Sequence, residues 1–238
     1  MDKSKQEYHE GFFYTITNYL FWFFLGNLYF LLLNIPLLFI LIVFLYNVTN
    51  PIPRGGGSIF ICCIPIGPAV TALLSVMGKL IREKDINITK DFFKAYKVNF
   101  FQSLFFSTLE MVAISLLAID IKFFTSGSYP RVVTSFIFVV ITFILLMSIH
   151  VFPIISRFYL NRNDILKTAA YYTIRKFHIT ILSFVSILVV GFIALKVFPL
   201  ILVFAASIIC YLIMFYQQKI LLEIEGKLKN KNNREINQ

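Results

Sequence analysis

Apolar residues do not alternate with polar ones along this chain. They gather in long blocks, and the polar residues are confined to the joints between blocks. Six apolar spans can be drawn, at about 20–46, 59–78, 100–121, 132–156, 178–195 and 199–217. Roughly 18 to 20 apolar residues cross the ~30 Å of hydrocarbon in a bilayer, so this pattern predicts an all-α polytopic membrane helical bundle of about six spans. A single integral membrane domain covers 1–238, with a polar cytoplasmic tail from about residue 219.

The spans carry their own punctuation. In the first, 34-NIP-36 predicts a kink, because Pro36 removes a backbone donor and clashes with the preceding turn. The last two are separated only by 196-KVF-198 before Pro199 and should form a tight hairpin. Read as one helix, 178–217 would be about 60 Å long, twice the hydrocarbon thickness. The second span leads into 64-IPIGPAVTALLSVMGKLIRE-83, where Pro65 and Pro68 fall near its start or in its outer third and can break or tilt it. Gly67, Thr71 and Ser75 then recur every four residues. Two readings stay open: a seam of small residues where another helix packs closely, or a broken helix lining a polar passage.

Two of the joints have helical periodicity. Thr89 can cap a helix through 90-KDFFKAYKVNFF-101, in which Phe92, Tyr96 and Phe100 repeat every four residues and lysines take other sides. The segment 164-DILKTAAYYTIRK-176 echoes it, with Asp164 and Lys167 spaced as Asp91 and Lys94 are. Both read as amphipathic helices in the inner interface. Eighteen of the 22 lysines and arginines lie in the amino-terminal segment, these two joints and the tail, which predicts cytoplasmic termini. In a bacterium the location is the cytoplasmic membrane, crossed several times.

Composition sharpens the class. Hydrophobic residues make up 58% of the chain and charged ones 14%, against about 25% charged in a soluble domain, which excludes a soluble fold with a large core. The +10 net charge comes in short runs beside apolar spans, so the partner it implies is membrane lipid and not nucleic acid. The start, 1-MDKSKQEYHEGFFYTITNY-19, is too polar and acidic for a cleaved signal peptide, so the first span is expected to remain as an anchor. Cys62, Cys63 and Cys210 lie in apolar runs without ligand spacing, and His9, His150 and His178 form no metal pattern with a carboxylate. There is no Walker motif and no serine nucleophile elbow. No catalytic, cofactor-binding or metal residue is therefore named, no cofactor is expected, and the chain does not read as an enzyme.

Buried polar residues remain as candidate chemistry. Glu110 lies about eleven residues past the inner start of span three, roughly 16 Å deep, and Asn34 lies at a comparable nominal depth in span one, so the two can meet. Glu110 is then either a protonated structural group or part of a binding or gating site. His150, near the inner end of span four, falls about 10 Å below Glu110 by the same count.

The run 65-PIGPAVTALLSVMGKLIRE-83 followed by 91-DFFKAYKVNFFQS-103, after a first span bearing Asn34 and Pro36, resembles the YesL family of small bacterial membrane proteins. Phe93 stands where many members have tryptophan, and 47-NVTNPIPRGGGS-58 is longer than the usual connection. Members are commonly encoded beside carbohydrate-uptake ABC transporters, so the resemblance implies an accessory or assembly subunit of oligosaccharide uptake, with ABC permease subunits as partners and self-association permitted. The alternative is an independent passive or secondary carrier for a small polar solute. The resemblance selects Asn34, Gly67, Pro68, Arg82, Asp91 and Asn99 as shape or contact positions; Pro36, Pro65, Thr71, Ser75, Glu110 and His150 join them on physical grounds.

The topology is directly testable in a background without the native cysteines. Cysteines at Lys94 and Lys167 should resist a membrane-impermeant thiol reagent in intact cells and react after permeabilisation, while one at Gly56 should react from outside. Labelling at Lys94 in intact cells would reverse the second span.

Overall fold

A chain that must satisfy its backbone hydrogen bonds without water has few options, and long apolar blocks take the helical one. The computed structural model describes residues 3–39, 63–83, 86–127, 130–197 and 199–236, with side chains for 16–39, 63–83, 86–127, 130–196 and 201–230. Among these residues there is no strand. The helices are α1 (Lys3–Leu33), α2 (Ile66–Glu83), α3 (Ile88–Ser126), α4 (Arg131–Arg157), α5 (Arg162–Arg175), α6 (Phe177–Phe192) and α7 (Ala205–Ile236). α6 and α7 pack on each other as the expected hairpin, but the joint is longer than 196–198: a π-helical turn, Ile193–Val197, and a 3-10 turn, Pro199–Val203, lie between them, and the last helix starts at Ala205 and not at 199. Among the described residues, five helical segments are long and apolar enough to cross a membrane: Ile16–Leu33, Ile88–Ser126, Arg131–Arg157, Phe177–Lys196 and Ala205–Asn230.

The second predicted span behaves differently. α2 has 18 residues, about 27 Å of helix, and closes on Lys79, Arg82 and Glu83. Eleven of those 18 residues are buried, whereas no more than 39% of the apolar window is buried in any of the five crossing helices. α2 is thus the axis on which the others pack: Leu73, Met77 and Leu80 meet Phe92 of α3, Ile154 and Ile155 of α4, and Met214 and Leu221 of α7 in one apolar cluster. The outer part of the first span (40–46), the connection 47–58 with Gly56, and 59–62 with Cys62 lie outside the described residues.

Both proline signals mark real interruptions, in altered form. α1 turns at Asn34 and resumes as helix over 35–39; Asn34 Nδ2 donates to the Phe30 carbonyl (2.7 Å), and Leu38 N bonds the Asn34 carbonyl (3.0 Å) across the break. In the second case the interruption falls at Ile64–Pro65, ahead of α2, and the Pro65 carbonyl accepts the first helical bond from Ala69 N (3.1 Å). Pro68 sits in the first turn of α2, where backbone N–H groups have no intrahelical partner in any case, so it starts the helix and does not break it.

Two expectations for the joints are corrected. The first amphipathic segment is not a separate interfacial helix: 88–126 is one helix of 39 residues, about 58 Å long, because no glycine or proline interrupts it. Its cap is Asn87, whose side chain accepts from Lys90 N (3.2 Å), and not Thr89, which shares a hydrogen bond with Tyr29 of α1 (2.8 Å). The second segment is separate: α5 ends at a turn at Lys176. α7 continues through 219, burying Ile220, Leu221 and Ile224, and Arg157 of α4 ties to Glu225 at 2.6 Å.

Three polar devices lock the helices. A Cβ on Gly67 would lie 2.9 Å from the Ser103 carbonyl and closer still to Ser107, so only glycine lets α2 approach α3 there. Pro153 leaves the Ile149 carbonyl of α4 without its helical donor, and Gln217 of α7 supplies one at 2.6 Å. Asn27 of α1 donates to the Leu202 carbonyl (3.1 Å) and accepts from Ala206 N (3.0 Å), capping the start of α7 from a neighbouring helix.

Gly67→Leu should lower the apparent melting temperature and monodisperse yield in detergent, by a loss of about 1–3 kcal/mol. Pro68→Ala should change stability by less than about 1 kcal/mol, since no hydrogen bond is restored. Equal behaviour of the two variants would remove the close-approach argument. Gln217→Leu should cost about 1–3 kcal/mol by orphaning the Ile149 carbonyl. Pro153→Ala returns an N–H to that carbonyl, so the double variant should lose less than the sum of the singles; strict additivity in thermal unfolding would show that the carbonyl is not what couples them.

Candidate functional site

The residues named from the sequence do not converge on one place. The largest grouping lies where α2 ends and α3 begins. Asn87 caps the first turn of α3, and Asp91 Oδ2 in that turn lies 2.8 Å from Lys79 Nζ of α2. Lys79 also reaches Glu83 at 3.6 Å. The hydrogen bond to Asp91 holds the Lys79 amino group above its ordinary range, against the opposing effect of burial. One turn and two turns further along α3 come Ala95 and the buried Asn99, and Ser103 Oγ donates to the Asn99 carbonyl at 2.7 Å.

The chain leaving α4 forms the opposite wall. Tyr159 Oη donates to the Val98 carbonyl (3.1 Å), Gln102 donates to the Leu160 carbonyl (2.7 Å), and the Arg162 guanidinium stacks over Phe105, 4.2 Å from its ring centre. Between the walls is an open cleft of about 310 Å³ that brings together Ser75, Lys79, Asp91, Lys94, Asn99 and Arg157. Arg82, on the last turn of α2, stands within the fields of Arg157, Glu83 and Glu225. Of the sequence candidates, Ser75, Asp91 and Asn99 therefore share one site and Arg82 borders it. Lys79, Lys94, Arg157 and Tyr159 were not singled out. Lys79–Asp91 was visible only as two charges twelve residues apart, a spacing that no single helix would join.

Gly67, Pro68 and Thr71 belong to the packed seam, and Thr71 Oγ1 donates to the Gly67 carbonyl at 2.9 Å. Asn34 and Glu110 do not pair. Asn34 bonds its own helix, while Glu110 lies beside Ser148 of α4, and both line a cavity of about 170 Å³ otherwise lined by apolar side chains such as Phe106, Ala113 and Ile144. The depth count for His150 also fails: Glu110 beside Ser148 lies within a turn of the His150 level, because α3 starts at Ile88 and runs past the end of α4. His150 points elsewhere, sharing a 2.8 Å hydrogen bond with Thr180 just after the α5–α6 turn and adjoining Gln217. His150 Nδ1 and Gln217 Oε1 are buried without a hydrogen bond.

Chemically, the cleft offers ammonium and guanidinium groups, one carboxylate already engaged by Lys79, and amide and hydroxyl donors. That set recognises polar or acidic groups, and it contains no paired nucleophile and base. Among the described residues no three of His, Cys, Asp and Glu converge as metal ligands. A further cavity of about 510 Å³ among α1, α2, α4, α6 and α7 is apolar; its Asn27 and Ser148 have their hydrogen bonds within the protein.

Comparison with known proteins places a family signal on this same region. No curated protein and no solved structure matches the chain significantly. Residues 14–121, which hold α2, Asp91, Asn99 and Glu110, match the model of a family described as a protein of unknown function, DUF624.

Proposed function

We propose that this protein is an accessory or assembly subunit of a bacterial carbohydrate-uptake system of the ABC type, and that it holds a permease subunit by the basic, inward-facing end of its bundle. The observation that carries the reading is the convergence of Ser75, Lys79, Asp91, Asn99 and Arg157 on one open cleft at the ends of α2, α3 and α4. The resemblance of 65–103 to YesL-type proteins supplies the physiological setting. An open cleft with a fixed cation–carboxylate pair at its centre suits an extended polar segment of a partner, since Lys79 and Asp91 hold each other in position before binding. The carrier reading has less support. Its cavities between the helices are lined mostly by apolar groups, and among the described residues of its cavity Glu110 has one polar neighbour, Ser148.

A photo-crosslinking residue at Lys94 or Tyr159, expressed in the native membrane, should capture permease subunits several-fold above the same probe at the lipid-facing Phe136. Recovery of the protein alone, together with normal transporter assembly after its deletion, would overturn the proposal. Solute flux in liposomes above a protein-matched control, abolished by Glu110→Gln, would establish the carrier instead.

A further inference from the structure

A second cleft, of about 760 Å³, opens on the other side of Lys79, between α1 and the start of α3. Its two walls differ in kind. One is apolar and comes from a membrane-crossing helix: Phe21, Trp22 and Leu25 of α1. The stripe continues along that helix face through Leu28 and Leu32, both exposed, as Phe21 is. The other wall is polar and cationic, formed by Asn87, Thr89, Lys90 and Lys94 around the Lys79–Asp91 pair. Asp91 is occupied by Lys79, and neither Lys90 nor Lys94 forms an ion pair with a described residue. Lys90 and Lys94 are four residues apart, one turn of α3, and so lie on one face.

We propose that this cleft is a binding site for an anionic phospholipid. Its phosphate accepts hydrogen bonds from the Lys90 and Lys94 ammonium groups, and an acyl chain runs along the Phe21–Leu28–Leu32 stripe of α1. The charge is complementary and the arrangement of walls fixes the class of ligand. A soluble anion would leave the aromatic wall uncovered, and a neutral lipid would leave two cations at the headgroup level uncompensated. Trp22 lines the apolar wall, and indole rings favour the membrane–water boundary. The site shares Lys79, Asp91 and Lys94 with the first cleft, and Lys90 and the α1 wall belong to it alone.

Trp22 is the single tryptophan of the chain and reports on this site directly. The full protein is reconstituted in mixed vesicles in which either the phosphatidylglycerol or the phosphatidylcholine carries brominated chains at equal mole fraction. Quenching of Trp22 should report a phosphatidylglycerol-to-phosphatidylcholine ratio at the site about thirtyfold above the bulk ratio, as about 1 kcal/mol from each of two lysines implies. In a Lys90→Gln/Lys94→Gln variant the enrichment should fall toward parity, and Lys90→Arg/Lys94→Arg should restore it. Equal quenching by the two lipids in the unmodified protein would overturn the site, as would a preference that survives the double glutamine change. Free glycerol phosphate that shifts Trp22 emission in pure phosphatidylcholine vesicles, and does so only with Lys90 and Lys94 present, would also overturn it by assigning the cleft to a soluble phosphate.

Discussion

The close approach of α2 to α3 at Gly67 is the constraint on which the remaining architecture rests. Without a side chain at that position, the backbone of α2 comes within contact of Ser103 and Ser107. The two helices then run antiparallel, from that point to the Lys79–Asp91 pair at the other end. Between these fixed points α2 is buried on nearly all sides, and α4 and α7 close over Leu73, Met77 and Leu80. In lipid there is little hydrophobic gain from moving an apolar face off the acyl chains, so close packing and hydrogen bonding carry more of the burden than they do in water. A helix with a small residue at its crossing point, and a charge pair at its wet end, is suited to that balance.

Elsewhere the bundle depends on hydrogen bonds exchanged between helices where a helix is imperfect. The Ile149 carbonyl freed by Pro153 is met by Gln217, and the start of α7 is capped by Asn27. The His150–Thr180 bond fixes α4 to the first turn of α6. These polar side chains are consumed by structure. They leave the interior with apolar cavities, and the exposed hydrogen-bonding capacity gathers at the basic end.

That division shapes the functional reading. The five long crossing helices are mostly exposed on their flanks, as expected of surfaces that meet lipid, whereas the ends of α2, α3 and α4 present ordered polar groups. Lys79 links the two clefts, one open toward α4 and the other toward α1. A partner on one side and a lipid headgroup on the other would therefore act on the same pair of charges, at the joint between the central helix and the longest one.

Much of this was legible in the chain itself. Block length and charge confinement determined an all-helical membrane protein, and Pro199 after 196-KVF-198 determined the final hairpin, because spans and turns depend on local chain physics. The four-residue recurrence of small side chains singled out the face of α2 that touches α3. Other features depended on which helices become neighbours. Nothing local distinguishes Asn27, a cap for α7, from Asn34, which bonds its own helix. Pro65 and Pro68 read as a break within a span until Ile66 proved to be a helix start, where a missing N–H costs nothing. Depth counted at 1.5 Å per residue paired Glu110 with Asn34 and set His150 below both, because that count assumes helices starting from a common plane. Tertiary packing staggered α3 against α4, set Glu110 opposite Ser148, and brought Lys79 to Asp91, since only the pairing of separate helices decides which polar groups lie within reach of one another.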